Sequence, residues 1–95
     1  MESAIKIIGN DLKRASVKIG WLSGNDIFDE EGLKLGFYED DKIFAANGKK
    51  IGYLKNGTLY AADGREIRID ENRKHVTGGA YSDLCRAAVR LLLGE

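Results

Sequence analysis

Apolar and polar residues follow one pattern that occurs three times between Gly20 and Ile67. The copies read GWLSGNDIFDEEGLKL, GFYEDDKIFAANGKKI and GYLKNGTLYAADGREI, so a glycine-aromatic pair recurs every 16 residues, at Gly20, Gly36 and Gly52. Each copy contains two turn signals and has no helical spacing. The first signals, expected at the hairpin tips, are Gly24-Asn25-Asp26, Asp40-Asp41-Lys42 and Asn56-Gly57-Thr58. The second signals are Glu31-Gly32, Asn47-Gly48 and Asp63-Gly64, and the last two predict two-residue turns. The pattern therefore predicts one β-hairpin per copy.

A fourth, diverged copy precedes these three. Residues 4–19 read AIKIIGNDLKRASVKI and align with the pattern if one residue is missing from the second turn, where the glycine is also lost. First and last repeats commonly diverge because they meet solvent or a terminus in place of a neighbour. We predict four tandem hairpin repeats, over 4–19, 20–35, 36–51 and 52–67, curled around a pseudo-four-fold axis.

Alternation along the strand that crosses each repeat boundary predicts which face is buried. Ile19 and Trp21 lie two residues apart and are expected to share the buried face, as are Leu35 with Phe37 and Ile51 with Tyr53. The intervening glycines point to the other face, and a mid-strand glycine is typical of a bend or bulge. Bends at a constant interval would curl the array toward a barrel-like or flower-like closure.

The sequence pattern changes after the repeats. A last strand and polar connection are predicted over 68–79, the strand itself starting near Arg65, followed by a helix over 80–93. The helix is apolar over a broad arc, which predicts that it also covers the end of the barrel or meets a second copy. The candidate interface residues are Tyr81, Leu84, Ala88, Leu91 and Leu92. The fold class is mainly β with a C-terminal α-helix, in one domain over 1–95.

The repeated motif, G-(W/F/Y)-x-x-x-x-x-(I/L)-(F/Y)-x-x-x-G-x-x-(I/L), resembles the repeats of four-fold β-flower proteins and, more weakly, WG and MORN repeats. The resemblance covers about residues 4 to 70. It implies four hairpins around a pseudo-four-fold axis and no established activity. The first unit lacks the glycine-aromatic pair and the second glycine, and the helix lies outside the pattern.

Composition narrows the possible partners and compartment. Fifteen basic and fifteen acidic residues cancel, whereas nucleic-acid binding normally needs a basic excess. Cys85 is the single cysteine, which favours a reducing compartment. No apolar run is long enough for a signal peptide or a membrane span. We expect a cytoplasmic protein that binds neither nucleic acid nor membrane.

Polar residues offer weak candidates for chemistry. The acidic turns Asp29-Glu30-Glu31 and Glu39-Asp40-Asp41 lack the spacing of a calcium loop and are interpreted as solvated turn charge. Thr77-Gly78-Gly79 before a helix is typical of an anion cradle, yet no Walker lysine accompanies it. Ordinary entry into a helix is the simpler interpretation of that segment. No metal or cofactor is expected.

His75 and Cys85 are the remaining candidates for a chemical role. His75 stands alone, without a second metal ligand or a nucleophile beside it. Cys85 falls on the apolar helix face, where a buried, unreactive thiol is expected. Neither residue indicates a catalytic site.

Three function classes remain open. The first is a non-enzymatic module that binds a protein partner or itself, as a homo-oligomer formed through the helix. The second is a small-ligand domain whose pocket is lined by Trp21, Phe37 and Tyr53, although the same rings could simply fill the core. The third is an enzyme that uses His75 with Asp70 or Glu71, which requires those groups to converge in a cleft.

Overall fold

The structure is a computed structural model that describes residues 4–79 and 81–93. Within these ranges the chain forms ten strands and two helices. The strands are β1 Ile5–Ile8, β2 Asp11–Arg14, β3 Val17–Ser23, β4 Asp26–Asp29, β5 Lys34–Glu39, β6 Lys42–Ala45, β7 Lys50–Lys55, β8 Thr58–Ala61, β9 Glu66–Arg68 and β10 Val76–Gly78. The helices are α1 Ile69–His75 and α2 Asp83–Leu93. The prediction of a mainly β chain with a C-terminal helix is confirmed.

All ten strands belong to one sheet. Strands β1 to β9 follow in chain order, each antiparallel to the next, and β10 lies beside β1 as its parallel partner. The order begins with β10 and ends with β9, so the sheet is open. Helix α1 connects these two end strands and contacts both of them.

The first turn of each hairpin is a two-residue turn with left-handed backbone angles. Asp40 and Asp41 both have positive φ, at 50° and 63°, and so do Asn56 and Gly57 in the next copy. In the preceding copy the positive φ of Gly24 comes first, as in a type II′ turn. Asp, Asn and Gly adopt these angles most readily, which is why they mark the hairpin tips.

The second turn is one residue longer than predicted. The Ala45 N–H donates to the Lys49 carbonyl at 2.8 Å, and the Gly48 N–H donates to the Ala45 carbonyl at 2.9 Å, so three residues form the loop. Gly48 has a φ of 88°, as the left-handed residue of such a loop requires. The predicted two-residue turn is therefore wrong. In the first copy Ala15 and Ser16 do form a two-residue turn, which accounts for the missing residue.

A β-bulge in each boundary strand reverses the predicted faces. In β3, Gly20 pairs with Leu12 and Lys18 pairs with Lys13, so Ile19 is an extra residue without a partner. Leu35 and Ile51 occupy the same position in β5 and β7. Because an extra residue interrupts the alternation, Ile19 does not share a buried face with Trp21. The prediction was wrong: the glycines lie on the buried face and the aromatics on the outer one.

The core lies between the inner face of the sheet and α2. The inner face contributes aliphatic residues without exposed surface from every second strand: Leu12, Ile27, Ile43 and Leu59. The helix approaches closely where the sheet has glycine, since a Cβ at Gly52 would lie 2.6 Å from Leu91 Cδ1. Helix α2 contacts β10 as well as β5, β6 and β7. Strands so far apart in the order can reach one helix only if the sheet bends around it.

The segment between β9 and α2 differs from the prediction. The predicted last strand ends at Arg68, and the predicted polar connection contains α1 followed by β10. In α1 only Asn72 is buried, so the helix has no apolar stripe that a sequence pattern could reveal. Helix α2 begins at Asp83, and residue 80, the predicted start, lies outside the described residues. Neither α1 nor α2 is long and apolar enough to cross a bilayer.

Candidate functional site

Six aromatic rings stand on the outer face as three stacked pairs, one pair per hairpin of the three clear repeats. The ring centroids are 5.6 Å apart for Trp21 and Phe28, 4.9 Å for Phe37 and Phe44, and 5.1 Å for Tyr53 and Tyr60. The rings of each pair lie within 17° to 19° of parallel. Each pair joins directly opposed residues of two strands and stabilises its hairpin by about 0.5–1.5 kcal/mol.

A lysine lies over the first ring of each pair. The Nζ atoms of Lys18, Lys34 and Lys50 are 5.2, 4.9 and 4.8 Å from the centroids of Trp21, Phe37 and Tyr53. Residues three apart in a regular strand point to opposite faces, and the bulge residue between them restores a common face. We call these three lysines and six rings the aromatic–lysine surface.

The predicted pocket residues lie on the outer face of the sheet. Trp21, Phe37 and Tyr53 do not line the interior, because the buried face of their strands is the one that carries the glycines, and this face packs against α2 at β5 and β7. Each ring has an aromatic neighbour on one side and an ammonium group on the other. The expectation that these rings meet at the centre, as a pocket or as core, is wrong. They present their edges to solvent, and Tyr53 is 36% exposed.

The charges beside the rings differ among the three units. Asp11 stands opposite Trp21 and binds Lys18 at 3.1 Å, and Asp26 stands opposite Phe37 and binds Lys34 at 3.2 Å. These ion pairs are exposed, so each stabilises the fold by at most about 1 kcal/mol. Opposite Tyr53 the equivalent residue is Lys42. The third unit thus has a second cation where the others have an acid.

The predicted interface helix is largely covered by its own sheet. Ala88 has no exposed surface and is therefore not available to a second copy, which corrects its place in the predicted interface. Leu84, Leu91 and Leu92 are partly buried and pack against the core. The Tyr81 hydroxyl donates to the side-chain oxygen of Asn10. The broad apolar arc of the helix therefore reflects a sheet that bends around it.

The buried thiol and phenol inside the fold are unreactive. Cys85 has no exposed surface, and burial raises the pKa of its thiol. Burial also raises the pKa of the Tyr38 hydroxyl, with a further contribution from its hydrogen bond to Cys85. Both groups therefore stay protonated at neutral pH. A thiol nucleophile would need the opposite environment, with exposure and a lowered pKa.

The segment Thr77-Gly78-Gly79 borders a cleft of about 480 Å³. The arginines in this cleft already have protein partners: Arg73 donates to both carboxylate oxygens of Asp83, at 2.9 and 2.8 Å, and Arg86 donates to the carbonyls of Val76 and Gly79. The bond from Arg73 lowers the pKa of Asp83, so its negative charge persists. A carboxylate beside the cleft opposes anion binding, and we assign no phosphate site here.

The acidic turns and His75 form no recognisable centre. The Asp29 carboxylate accepts the backbone N–H groups of Glu31 and Leu33, at 2.9 and 3.0 Å, and so serves the turn. Over residues 4–79 and 81–93, no three histidine, cysteine or acidic side chains are placed to hold a metal ion. His75 is exposed at the end of α1 and does not line the cleft beside Thr77.

The fold and its outer surface define a small β domain made of consecutive hairpins packed against one helix. The family model of the 4-fold beta flower protein matches residues 13–82, well over half of the chain. The protein belongs to this family, as its repeat motif indicated. No curated protein and no solved structure matches the chain.

Proposed function

We propose that this protein is a non-enzymatic interaction module of four hairpins around a common axis, three of which present the aromatic–lysine surface to a protein partner. The observation that carries the proposal is the placement of the rings. The interior is filled by Leu12, Ile27, Ile43, Leu59 and the helix, all without help from the six aromatic residues. Large apolar rings repeated on an outer face, where polar residues would suffice, are typical of a contact surface.

The shape of the surface favours a protein over a small molecule. Pockets for small ligands are concave and bury most of the ligand. Here the rings form a row on the outside of a sheet, with their faces covered by neighbours and their edges exposed. Aromatic residues are enriched at the centres of protein interfaces.

The stacking also prepares the surface for binding. The ring of Phe37 is held between Phe44 and the Lys34 ammonium group, and Lys34 is held in turn by Asp26. Side chains fixed before binding lose little conformational entropy when a partner arrives. A loosely held surface would lose about 0.5–1.5 kcal/mol for each side chain that becomes ordered.

A selection for peptide ligands tests the proposal without assuming a partner. The immobilised full chain would be used to select from a random dodecapeptide display library, and selected peptides would be titrated by fluorescence polarisation. We expect Phe37→Ser to weaken their binding by at least about ten-fold, as hot-spot truncations do. Leu33→Ser is the matched control, because Leu33 is 65% exposed and lies outside the aromatic–lysine surface.

A second readout protects the test against misfolding of the variant. Amide chemical shifts of the unmodified chain, recorded with each peptide, should change along the outer residues of β3 to β8. Peptides that shift other surfaces, or that bind Phe37→Ser as tightly as the unmodified chain, would contradict the proposal.

Self-association through α2 is a second candidate. It is favoured by Leu84, Leu91 and Leu92, which retain some exposed apolar surface at the helix. Sedimentation equilibrium at micromolar concentration distinguishes the two, since association through the helix should be weakened by Leu84→Ser and not by Phe37→Ser. A monomer over the whole concentration range would exclude the second candidate.

A further inference from the structure

The three aromatic units share one geometry and differ in charge at two equivalent positions. The first position is the residue opposite the leading ring, which is Asp11, Asp26 and Lys42 in the three units. The second lies two residues after that ring and therefore on the same face, and it is Ser23, Glu39 and Lys55. The lysine over the ring is common to all three.

Tyr53 is consequently surrounded by three lysines. Lys50 lies over its ring, Lys42 stands opposite it on β6, and Lys55 follows it on β7. All three lysines are exposed, and none forms an ion pair with another described residue. This differs from Lys18 and Lys34, whose charges are neutralised by Asp11 and Asp26.

Acidic residues also border this group, and they lie at its edges. Glu39 is the register partner of Lys42, and Glu66 is the register partner of Tyr60. Asp40 and Asp41 lie in the hairpin tip that precedes Lys42. On the outer face itself three lysines stand against the carboxylates of Glu39 and Glu66, so that face carries a local positive excess although the whole chain has a formal net charge of zero. A local excess in a neutral chain creates an attractive field for negative groups within about 8–10 Å at physiological salt.

We propose that the surface formed by Lys42, Lys50, Tyr53 and Lys55 binds an acidic segment of a partner protein. The inference rests on the proposed function and specifies its partner by charge. Carboxylates of an extended segment would contact the lysine ammonium groups, while apolar side chains beside them would contact the exposed edge of Tyr53. Charge complementarity of this kind selects partners and speeds their association.

A single-stranded nucleic acid is the main competing partner, and the geometry favours the peptide. Bases bind proteins by stacking on open aromatic faces. The ring of Tyr53 is covered by Tyr60 on one side and by the Lys50 ammonium group on the other. Three lysines also fall short of the phosphate contacts, on the order of six to ten, that make nucleic-acid binding strong.

The test uses a fluorescein-labelled octapeptide of alternating glutamate and serine, with an octapeptide of alternating glutamine and serine as its neutral counterpart. Fluorescence polarisation with the full chain is measured at about 50 mM and about 300 mM salt, which shortens the screening length by about 2.4-fold. We expect the acidic peptide to bind at least about ten-fold more tightly than the neutral one at low salt, and to lose most of that advantage at high salt.

The repeat supplies matched variants. Lys42→Asp installs the residue type that the other two units carry, and we expect it to weaken the acidic peptide by at least about ten-fold. The reciprocal change, Asp26→Lys, should strengthen binding by adding a second cation beside Phe37. Lys74→Asp makes the same charge change at an exposed lysine of α1, outside the aromatic–lysine surface, and should change binding by less than about two-fold.

The outcomes separate this inference from the proposed function. The inference is overturned if the acidic peptide does not bind, if Lys42→Asp leaves its binding intact, or if an oligothymidylate of equal charge binds more tightly. If library peptides without acidic residues still require Phe37, the inference fails while the proposed function stands. If no library peptide contacts the aromatic–lysine surface, both fail.

Discussion

Residues on both faces of the sheet repeat with the same period, but their types vary more on the outer face than on the inner face. The inner positions are always leucine or isoleucine and have no exposed surface: Leu12, Ile27, Ile43 and Leu59. The outer positions one residue further along hold a lysine, a phenylalanine or a tyrosine: Lys13, Phe28, Phe44 and Tyr60. Packing at native density restricts the inner set, whereas solvent tolerates any side chain on the outer set. Folding therefore does not restrict the residue types on the outer face, and these residues can serve binding.

The largest difference in stability is expected when two adjacent residues, one on each face of the sheet, are truncated to alanine. Ile43→Ala should reduce the free energy of unfolding by about 2–5 kcal/mol, because it leaves a cavity in the core. Phe44→Ala removes the adjacent outer ring and should cost less, mainly the stacking with Phe37 of about 0.5–1.5 kcal/mol plus some contact area. Urea unfolding monitored by circular dichroism measures both. Equal losses would show that the outer rings are structural core.

A second comparison concerns the glycines under the helix. A Cβ at Gly36 would collide with the backbone carbonyl of Phe44 and lie 2.8 Å from Leu92 Cδ1, whereas a Cβ at Gly52 would lie 2.6 Å from Leu91 Cδ1 and 3.0 Å from the Tyr60 carbonyl. The backbone carbonyl of Phe44 cannot move aside as easily as a leucine methyl group can. We expect Gly36→Ala to destabilise the protein by about 1–3 kcal/mol.

The matched variant for this test is Gly52→Ala. It should lower the melting temperature by a smaller amount, because the end of the Leu91 side chain can move aside. A larger effect at Gly52 than at Gly36 would argue against the placement of α2 on the inner face.

Charge changes on the outer face should alter stability less than the core and glycine substitutions. Lys42→Asp and Asp26→Lys are each expected to change the free energy of unfolding by no more than about 0.5–1 kcal/mol, as exposed charges do. Thermal melts of both variants provide the measurement and also serve the binding test. A loss comparable to that of Ile43→Ala would mean that the charge pattern serves folding and not recognition.

The smallest effect is expected from the exposed pair Arg73–Asp83. The hydrogen bonds from Arg73 lower the pKa of Asp83 in the folded state. The pair therefore stabilises the fold above the unfolded pKa of aspartate, near about 4, and the contribution is lost as pH falls through the folded value. The urea midpoint of Asp83→Asn should approach that of the unmodified chain as pH falls below about 4. A gap that stays constant with pH would contradict this assignment.

Local chemistry accounts for the features that sequence analysis predicted correctly. Gly24-Asn25, Asp40-Asp41 and Asn56-Gly57 favour left-handed turns through their own backbone preferences, and the hairpin tips lie at these dipeptides. The apolar spacing over 80–93 predicts a helix in the same way, because the 3.6-residue period is a property of the helix alone, and α2 lies within that range.

Long-range contacts account for the features that sequence analysis missed. The extra residue Ile19 becomes a bulge only when β2 and β3 pair, and that pairing moves Trp21 to the outer face beside Lys18. Strand β10 is three residues long and is defined by its partner β1, and the polar helix α1 is held between β9 and β10. A turn or an amphipathic helix depends on neighbours in the chain, whereas the choice of a buried face depends on which distant strands and helix arrive to cover it.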